Sequence, residues 1–123
     1  MIDIISLWDD DVLTSYIRCN IILVPTINFV LQGIRFEWDD QKALANVRKH
    51  NVSFERACEA FFDPFLYVVD EDEYAGDELR EKIIGIARDW RILYVVYVMR
   101  DDRIRVISAR DATVVERVRY EAQ

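Results

Sequence analysis

Apolar residues follow two different spacings along this chain, and each spacing predicts an element. In Arg91–Arg100 the run ILYVVYVM is unbroken and rich in β-branched and aromatic residues, which predicts a central strand covered on both faces. Asp101-Asp102 then makes a tight turn into a strand over Arg103–Ala109. Ile34–Trp38, Phe65–Val69 and Lys82–Arg88 read as further short strands. Helical spacing appears at Phe54, Ala57, Cys58 and Phe61, which share one face of a helix capped by Ser53 and stopped at Asp63-Pro64. An earlier helix, capped by Asp39 and running to about His50, has Leu44 and Val47 on its inner stripe. Asn51 then suits the left-handed position that ends it. A last helix over Asp111–Tyr120 has Ala112, Val115 and Val118 facing inward. The order is β-α-α-β-β-β-β-α. Consecutive strands with short turns predict an α+β fold: a small antiparallel sheet packed with two N-terminal helices and a C-terminal helix.

Residues 1–33 stand apart from that pattern. The run IILVPTINFVLQGI at 21–34 is interrupted by Pro25, Asn28 and Gln32, so it is too short and broken to span a membrane. Acidic residues precede it, unlike a signal peptide. It reads either as an extra element docked on the domain or as an upstream extension from a misassigned start. The domain itself is expected over 34–123.

Composition narrows the class. With 123 residues, 3 Gly and 2 Pro, the chain fits one regularly structured domain. Cys19 and Cys58 lack metal or redox spacing and read as reduced thiols of a cytoplasmic protein. The net charge of −7 argues against a polyanion partner until its distribution is considered. DEDEYAGDELRE at 70–81 holds seven acids and one base, and residues 1–34 hold four acids and one base. The remaining chain carries 14 bases against 12 acids, and arginine outnumbers lysine 13 to 3. Guanidinium forks match phosphate geometry, though they serve ordinary surface pairing equally well.

There is no phosphate-cradling glycine loop, no Cys/His metal cluster and no nucleophile elbow. What remains is a set of arginines with scattered acids, tyrosines and one histidine. Such a set suits phosphodiester cleavage without a metal, which needs a base, an acid and cations for the developing charge. Strand alternation puts Arg103 and Arg105 on one face, and Arg80 with Lys82 on one face if 78–88 is extended. Arg110 falls at a strand-to-helix junction, where backbone N–H groups favour an anion. Thr113, Glu116, Arg117 and Tyr120 lie along one side of the last helix. His50 titrates naturally near neutrality and is a candidate general acid or base; equally, it is a histidine favoured at a helix C-terminus. Lys49 is either a phosphate ligand or part of the same helix end. The acidic residues 70–73 read as a solvated turn, with a basic partner segment as the sharper alternative. Asp70, Asp72 and Glu73 would be the ligands in a metal-dependent nuclease.

Several separated motifs then point one way. FEWDDQKALANVRKHNVSFERACEAFFDP at 36–64, GDELR at 76–80, IIGIA at 83–87 and RIRVISARDATVVERVRYE at 103–121 resemble the BrnT family of type II toxins. Asn51 stands where the family has Gly, and the Gly76–Arg80 stretch differs in register near Glu78. The resemblance implies a RelE-like fold, metal-independent endoribonuclease activity that stops translation, and no cofactor. It also implies a BrnA-like antitoxin that neutralises the toxin and contacts operator DNA on its behalf. On that basis Arg80, Arg105 and Arg110 are expected to hold the scissile phosphate. His50, or else Glu116 or Tyr120, would move protons, and Lys49, Arg103 and Arg117 would bind RNA. A catalytically silent module that binds a partner or a DNA-bound repressor is the reading from another class.

Overall fold

The computed structural model describes residues 25–123. Residues 1–24, including Cys19, lie outside the described part. The strands are β1 (Thr26–Leu31), β2 (Ile34–Asp39), β3 (Tyr67–Ala75), β4 (Glu78–Ile86), β5 (Ile92–Arg100) and β6 (Arg103–Asp111). The helices are α1 (Asp40–His50), α2 (Phe54–Ala60) and α3 (Val114–Glu121). They form an α+β fold around one six-stranded sheet in the order β1-β2-β6-β5-β4-β3. Neighbours are antiparallel except β2 and β6, which run parallel. This single parallel pair is what the purely antiparallel expectation lacked. It arises because the chain leaves β2 through two helices and a four-strand meander before returning beside it.

Local chemistry explains most element ends. Asp39 accepts hydrogen bonds from the Gln41 and Lys42 amides and caps α1, and Asn51 ends it in the left-handed conformation. Ser53 caps α2 through the Arg56 amide, and Thr113 and Glu116 form a reciprocal capping box at α3. Gln32 and Gly33 both have positive φ, as a two-residue hairpin turn of the type that matches strand twist requires. That turn joins β1 to β2, so the boundary drawn at residue 34 falls within a hairpin. Ile27, Phe29 and Leu31 of β1 pack against the core, while Asn28 and Val30 point the other way. Alternation was present in TINFVL, but Pro25 and the polar residues obscured it.

The core lies between one sheet face and the helix pair α1–α2. Phe36, Trp38, Phe54, Ile83, Leu93, Val95 and Val106 are among its buried members. Gly85 of β4 sits under the end of α2, where an added Cβ would lie 2.5 Å from the Ala60 carbonyl oxygen. The glycine therefore sets how closely α2 approaches the sheet. On the opposite face Val69, Ile84 and Val98 are buried outside that core, and α3 lies against β4.

Three expectations are corrected by these contacts. Leu44 and Val47 do not form the inner stripe of α1; both are exposed, and the buried residue is Asn46. Its amide donates to the carbonyls of Val52 and Ala109, both at 2.8 Å, and accepts from the Ala109 amide at 3.2 Å. Hydrophobic spacing could not reveal a helix docked by an amide. Second, the final helix begins at Val114, after the Thr113 cap, and buries no residue; Val115 and Val118 face solvent. Polar tethers orient it instead: Glu116 to Arg110, Tyr120 to Asp63, and Arg119 to Glu71 at 3.4 Å. Third, residues 70–73 are not a turn. They belong to β3, in a hairpin with β4 that turns at Gly76, with a register shift between Val69 and Glu73. Both sides of this stretch meet water, so its polarity resembles a loop's; Lys82 donates to the Glu71 backbone carbonyl at 2.9 Å and partly offsets the charge at the Glu73 carboxylate, 3.6 Å away.

Replacing Gly85 with alanine should lower stability by about 1–3 kcal/mol through overpacking, because backbone at Ala60 must move. Denaturant midpoints of the two proteins measure this; equal midpoints would show that α2 does not rest on Gly85.

Candidate nucleic-acid interface

The sheet face opposite α1 and α2 collects the arginines. β6 alternates Ile104, Val106 and Ala109 toward the core with Arg103, Arg105 and Arg110 away from it, with an extra residue absorbed by a bulge opposite Val96 and Tyr97. Lys82 joins the same face opposite Val96. Arg80 follows two residues before it on β4 and stands opposite Glu73. Continuing the β4–β5 register sets Arg80 beside Val98, whose partner on β6 is Arg105. Two strand spacings separate Arg80 from Arg105, about 10 Å.

The arginines fall into two groups. At the start of β6, Arg105 donates to Glu37 at 2.9 Å and Arg103 donates to it at 3.4 Å, while Arg100 approaches to 3.8 Å. Arg103 also donates to Asn28 at 3.2 Å, and Arg100 to Glu78 at 2.8 Å. At the end of β6, Arg110 makes a two-pronged bond to Glu116, at 2.7 and 2.9 Å. Its guanidinium lies 4.1 Å from the centre of the Tyr94 ring, a cation–π geometry. Hydrogen bonding from Arg110 holds the Glu116 carboxyl below its ordinary value, against the opposing effect of burial. Glu116 is therefore an anion at neutral pH, which favours Arg110 as a cation.

Beside this second group, Arg91 donates to Asp111 at 2.9 Å and to the Asn51 carbonyl at 2.7 Å, tying the end of α1 to the end of β6. The Arg91 hydrogen bond lowers the Asp111 carboxyl, with weaker electrostatic help from Arg117 and His50. His50 and Arg117 thus stand near the same strand end as Arg110. His50 is half-buried, and Lys49 and Arg117 are exposed. Tyr120 is committed elsewhere: its hydroxyl donates to Asp63, and burial followed by that bond pushes its pKa up to about 12. Asp63 also accepts from the Phe65 and Ile86 amides at 2.8 and 2.9 Å, so Tyr120 helps anchor α3.

This placement separates residues that the sequence reading put on one phosphate. Arg105 and Arg110 stand opposite Val98 and Tyr94, four residues apart on β5, so about 13 Å separates them, and their guanidinium groups are drawn to carboxylates in different parts of the face. Arg80, Arg103 and Arg105 share one part of the face; Arg110 and Glu116 meet at the start of α3, while His50 and Arg117 lie nearer Asp111, which alternates with Arg110 along β6. Glu37, Arg100 and Tyr94 were missed. Glu37 carried a signal, since it alternates with Phe36 and Trp38 and so must face away from the core. Asp70, Asp72 and Glu73 are spread along β3, and no group of three His, Cys, Asp or Glu among the described residues could hold a metal ion.

A single mixed sheet with α1 and α2 on one face, and arginines beside α3 on the other, defines a small α+β domain. Its family is that of BrnT, described as the ribonuclease toxin of type II toxin–antitoxin systems: the family model matches residues 38–116, and the chain belongs to it. Among solved structures the chain is similar to the Brucella abortus ribonuclease toxin BrnT, at 26% identity over 62% of this chain and 92% of that one, with a TM-score of 0.41. No curated protein matches it. The matched segment includes His50, Arg80, Arg105, Arg110 and Glu116, and ends before Arg117 and Tyr120. No helix among the described residues is long and apolar enough to cross a membrane.

The Arg110–Glu116 pair sets a pH dependence. A carboxyl with a lowered folded-state pKa contributes stability that is complete above its ordinary value of 4.5 and is lost as pH falls through the folded-state value. Glu116→Gln should therefore lose stability at pH 7 and show a smaller decline than the parent below pH 4.5. Thermal melts from pH 7 to pH 3 check this, and parallel curves for the two proteins would contradict it.

Proposed function

We propose that this chain cleaves RNA endonucleolytically without a metal, in the cytoplasm, and that the cleavage inhibits translation. The carrying observation is the arginine-lined face, with Arg110 held by Glu116 over Tyr94 at one end and Arg80, Arg103 and Arg105 at the other. RNA lies along this face rather than on one residue cluster. Arg80, Arg103 and Arg105 hold flanking phosphates as fixed forks. The reacting phosphate sits at Arg110, near the start of α3, where a helix N-terminus adds favourable potential.

The reaction that fits these groups is attack by the ribose 2′-oxygen on the adjacent phosphorus. The 2′-hydroxyl proton passes to a base, the bond from phosphorus to the 5′-oxygen breaks, and that oxygen takes a proton from an acid. The products are a 2′,3′-cyclic phosphate and a 5′-hydroxyl end. Both Glu116 oxygens are occupied by Arg110, and one also accepts from the Thr113 amide at 2.8 Å. A phosphate that takes the Arg110 fork releases Glu116 to accept the proton. His50 then serves as the acid, being the only histidine in the chain and lying near the same strand end. Tyr120 anchors α3 through Asp63 and stays out of the proton transfers. Lys49 and Arg117, both exposed, steer the strand.

A type II toxin has an antitoxin partner. We assign that partner to the BrnA-like kind, with contact to operator DNA made through it. Val114, Val115 and Val118 are 76%, 64% and 58% exposed on α3, and this apolar side supports a protein partner covering the helix next to Arg110.

Two measurements test this reading. The purified chain should cleave RNA in excess EDTA, leaving cyclic phosphate ends. Loss of activity on chelation would point to a metal-dependent reaction instead. Arg110→Ala should reduce kcat by about a hundredfold, as removal of one transition-state donor commonly does. Unchanged cleavage would remove Arg110 from the reaction.

A further inference from the structure

Glu37 is an acid in the middle of a surface that is proposed to bind a polyanion, and its side chain is only 10% exposed. Burying a carboxylate is unfavourable unless its lost hydration is replaced by paired donors. Here three arginines surround it: Arg105 at 2.9 Å, Arg103 at 3.4 Å and Arg100 at 3.8 Å. One carboxylate shared among three guanidinium groups cannot neutralise them all. A guanidinium carries five N–H donors on three nitrogens, and Arg105 commits only Nη1 to a side chain, to Glu37, which leaves its other donors for an incoming group. Arg105 is the most enclosed of the three, with its side chain 18% exposed, against 34% for Arg103 and 43% for Arg100.

The other supports of these side chains are unequal. Arg103 also meets Asn28 and Asp102, and Arg100 meets Glu78. For Arg105 the polar contact is Glu37. The parallel register places Glu37 directly beside Arg105 on adjacent strands, so the contact is built into the sheet. Arg103 and Arg105 stand two residues apart on one face, about 6.6 Å. That is comparable with the separation of successive phosphates along an RNA strand.

We infer that Glu37 is a positioning residue for RNA binding: it holds Arg105, and with it Arg103, as preset forks for two successive backbone phosphates. This rests on the ribonuclease reading above. The role makes a prediction opposite in sign to simple electrostatics. Removing a negative charge from a basic surface should tighten polyanion binding, because one more net positive charge faces the phosphates. If Glu37 positions the forks, its removal weakens binding instead.

The test uses a fluorescent 2′-O-methyl RNA oligonucleotide, which cannot undergo 2′-oxygen attack, at one fixed salt concentration. Compared with the parent chain, Glu37→Gln should bind roughly tenfold more weakly although the chain gains positive charge, and the double variant with Arg105→Ala should lose clearly less than the product of the two single losses. Equal or tighter binding by Glu37→Gln overturns the inference, as do losses that simply multiply in the double variant. Should Glu37→Gln lack a cooperative thermal transition, Glu37→Asp replaces it. That variant keeps the charge and shortens the reach, so binding a few-fold weaker is expected, and parental affinity overturns the inference. If the parent chain itself fails to bind the oligonucleotide, the RNA reading fails and this inference falls with it. Parental binding with an unaffected Glu37→Gln defeats the positioning role alone.

Discussion

The structure depends on how the second edge of β6 is satisfied. β5 covers one edge over its whole length, whereas β2 pairs with the other edge only from Arg103 to Arg105. Beyond that point β2 ends and α1 begins. Asn46 reaches from α1 to the amide and carbonyl of Ala109, presenting one donor and one acceptor as a peptide group would. The unpaired strand backbone would otherwise be left buried without partners, at a cost of about 1–3 kcal/mol for each group. Its third bond, to the Val52 carbonyl, fixes the link between α1 and α2. The strand that carries Arg103, Arg105 and Arg110 is thereby held along both sides.

A rigid β6 has a consequence for function. The strand supplies arginines at separations set by its rise, and neighbouring elements supply the acids that orient them. Glu37 comes from β2, Glu116 from α3, and Tyr94 lies beneath Arg110 on β5. The positive face is therefore assembled from parts distant in sequence. This also reconciles a net charge of −7 with an arginine-lined side. Much of the negative charge lies in 70–81, whose residues occupy β3 and the first part of β4 toward one edge of the sheet, while β6 lies in its middle. Charge distribution decides what the surface attracts, and the sum over the chain does not.

The sheet's centre was legible because burial on both sides forces a plain signal. ILYVVYVM could be little else than an inner strand, and Asp39, Asn51 and Ser53 mark helix ends by their own hydrogen bonds. Elements failed to read where polar residues do the structural work. Asn46 docks α1, so Leu44 and Val47 were misjudged as its inner stripe. Glu116 and Tyr120 orient α3, so its valines point outward. The acidic hairpin looked like a loop because neither its charge nor its exposure distinguishes a strand with water on both sides. For the site, alternation on β6 was legible, and so was the position of Arg110 at the strand end. The grouping was not, since it depends on the parallel register of β2 with β6 and on the α3 capping box.

The RNA is proposed to lie along the face formed by β4, β5 and β6 and to reach α1 only at its C-terminal end, Lys49–His50. Backbone amide shifts measured during titration with an uncleavable 2′-O-methyl RNA test it most directly. The shifts should concentrate at Arg80, Lys82, Val96, Arg105 and Arg110 and at the start of α3. Shifts confined to the exposed sides of α1 and α2, with β6 unmoved, would contradict it.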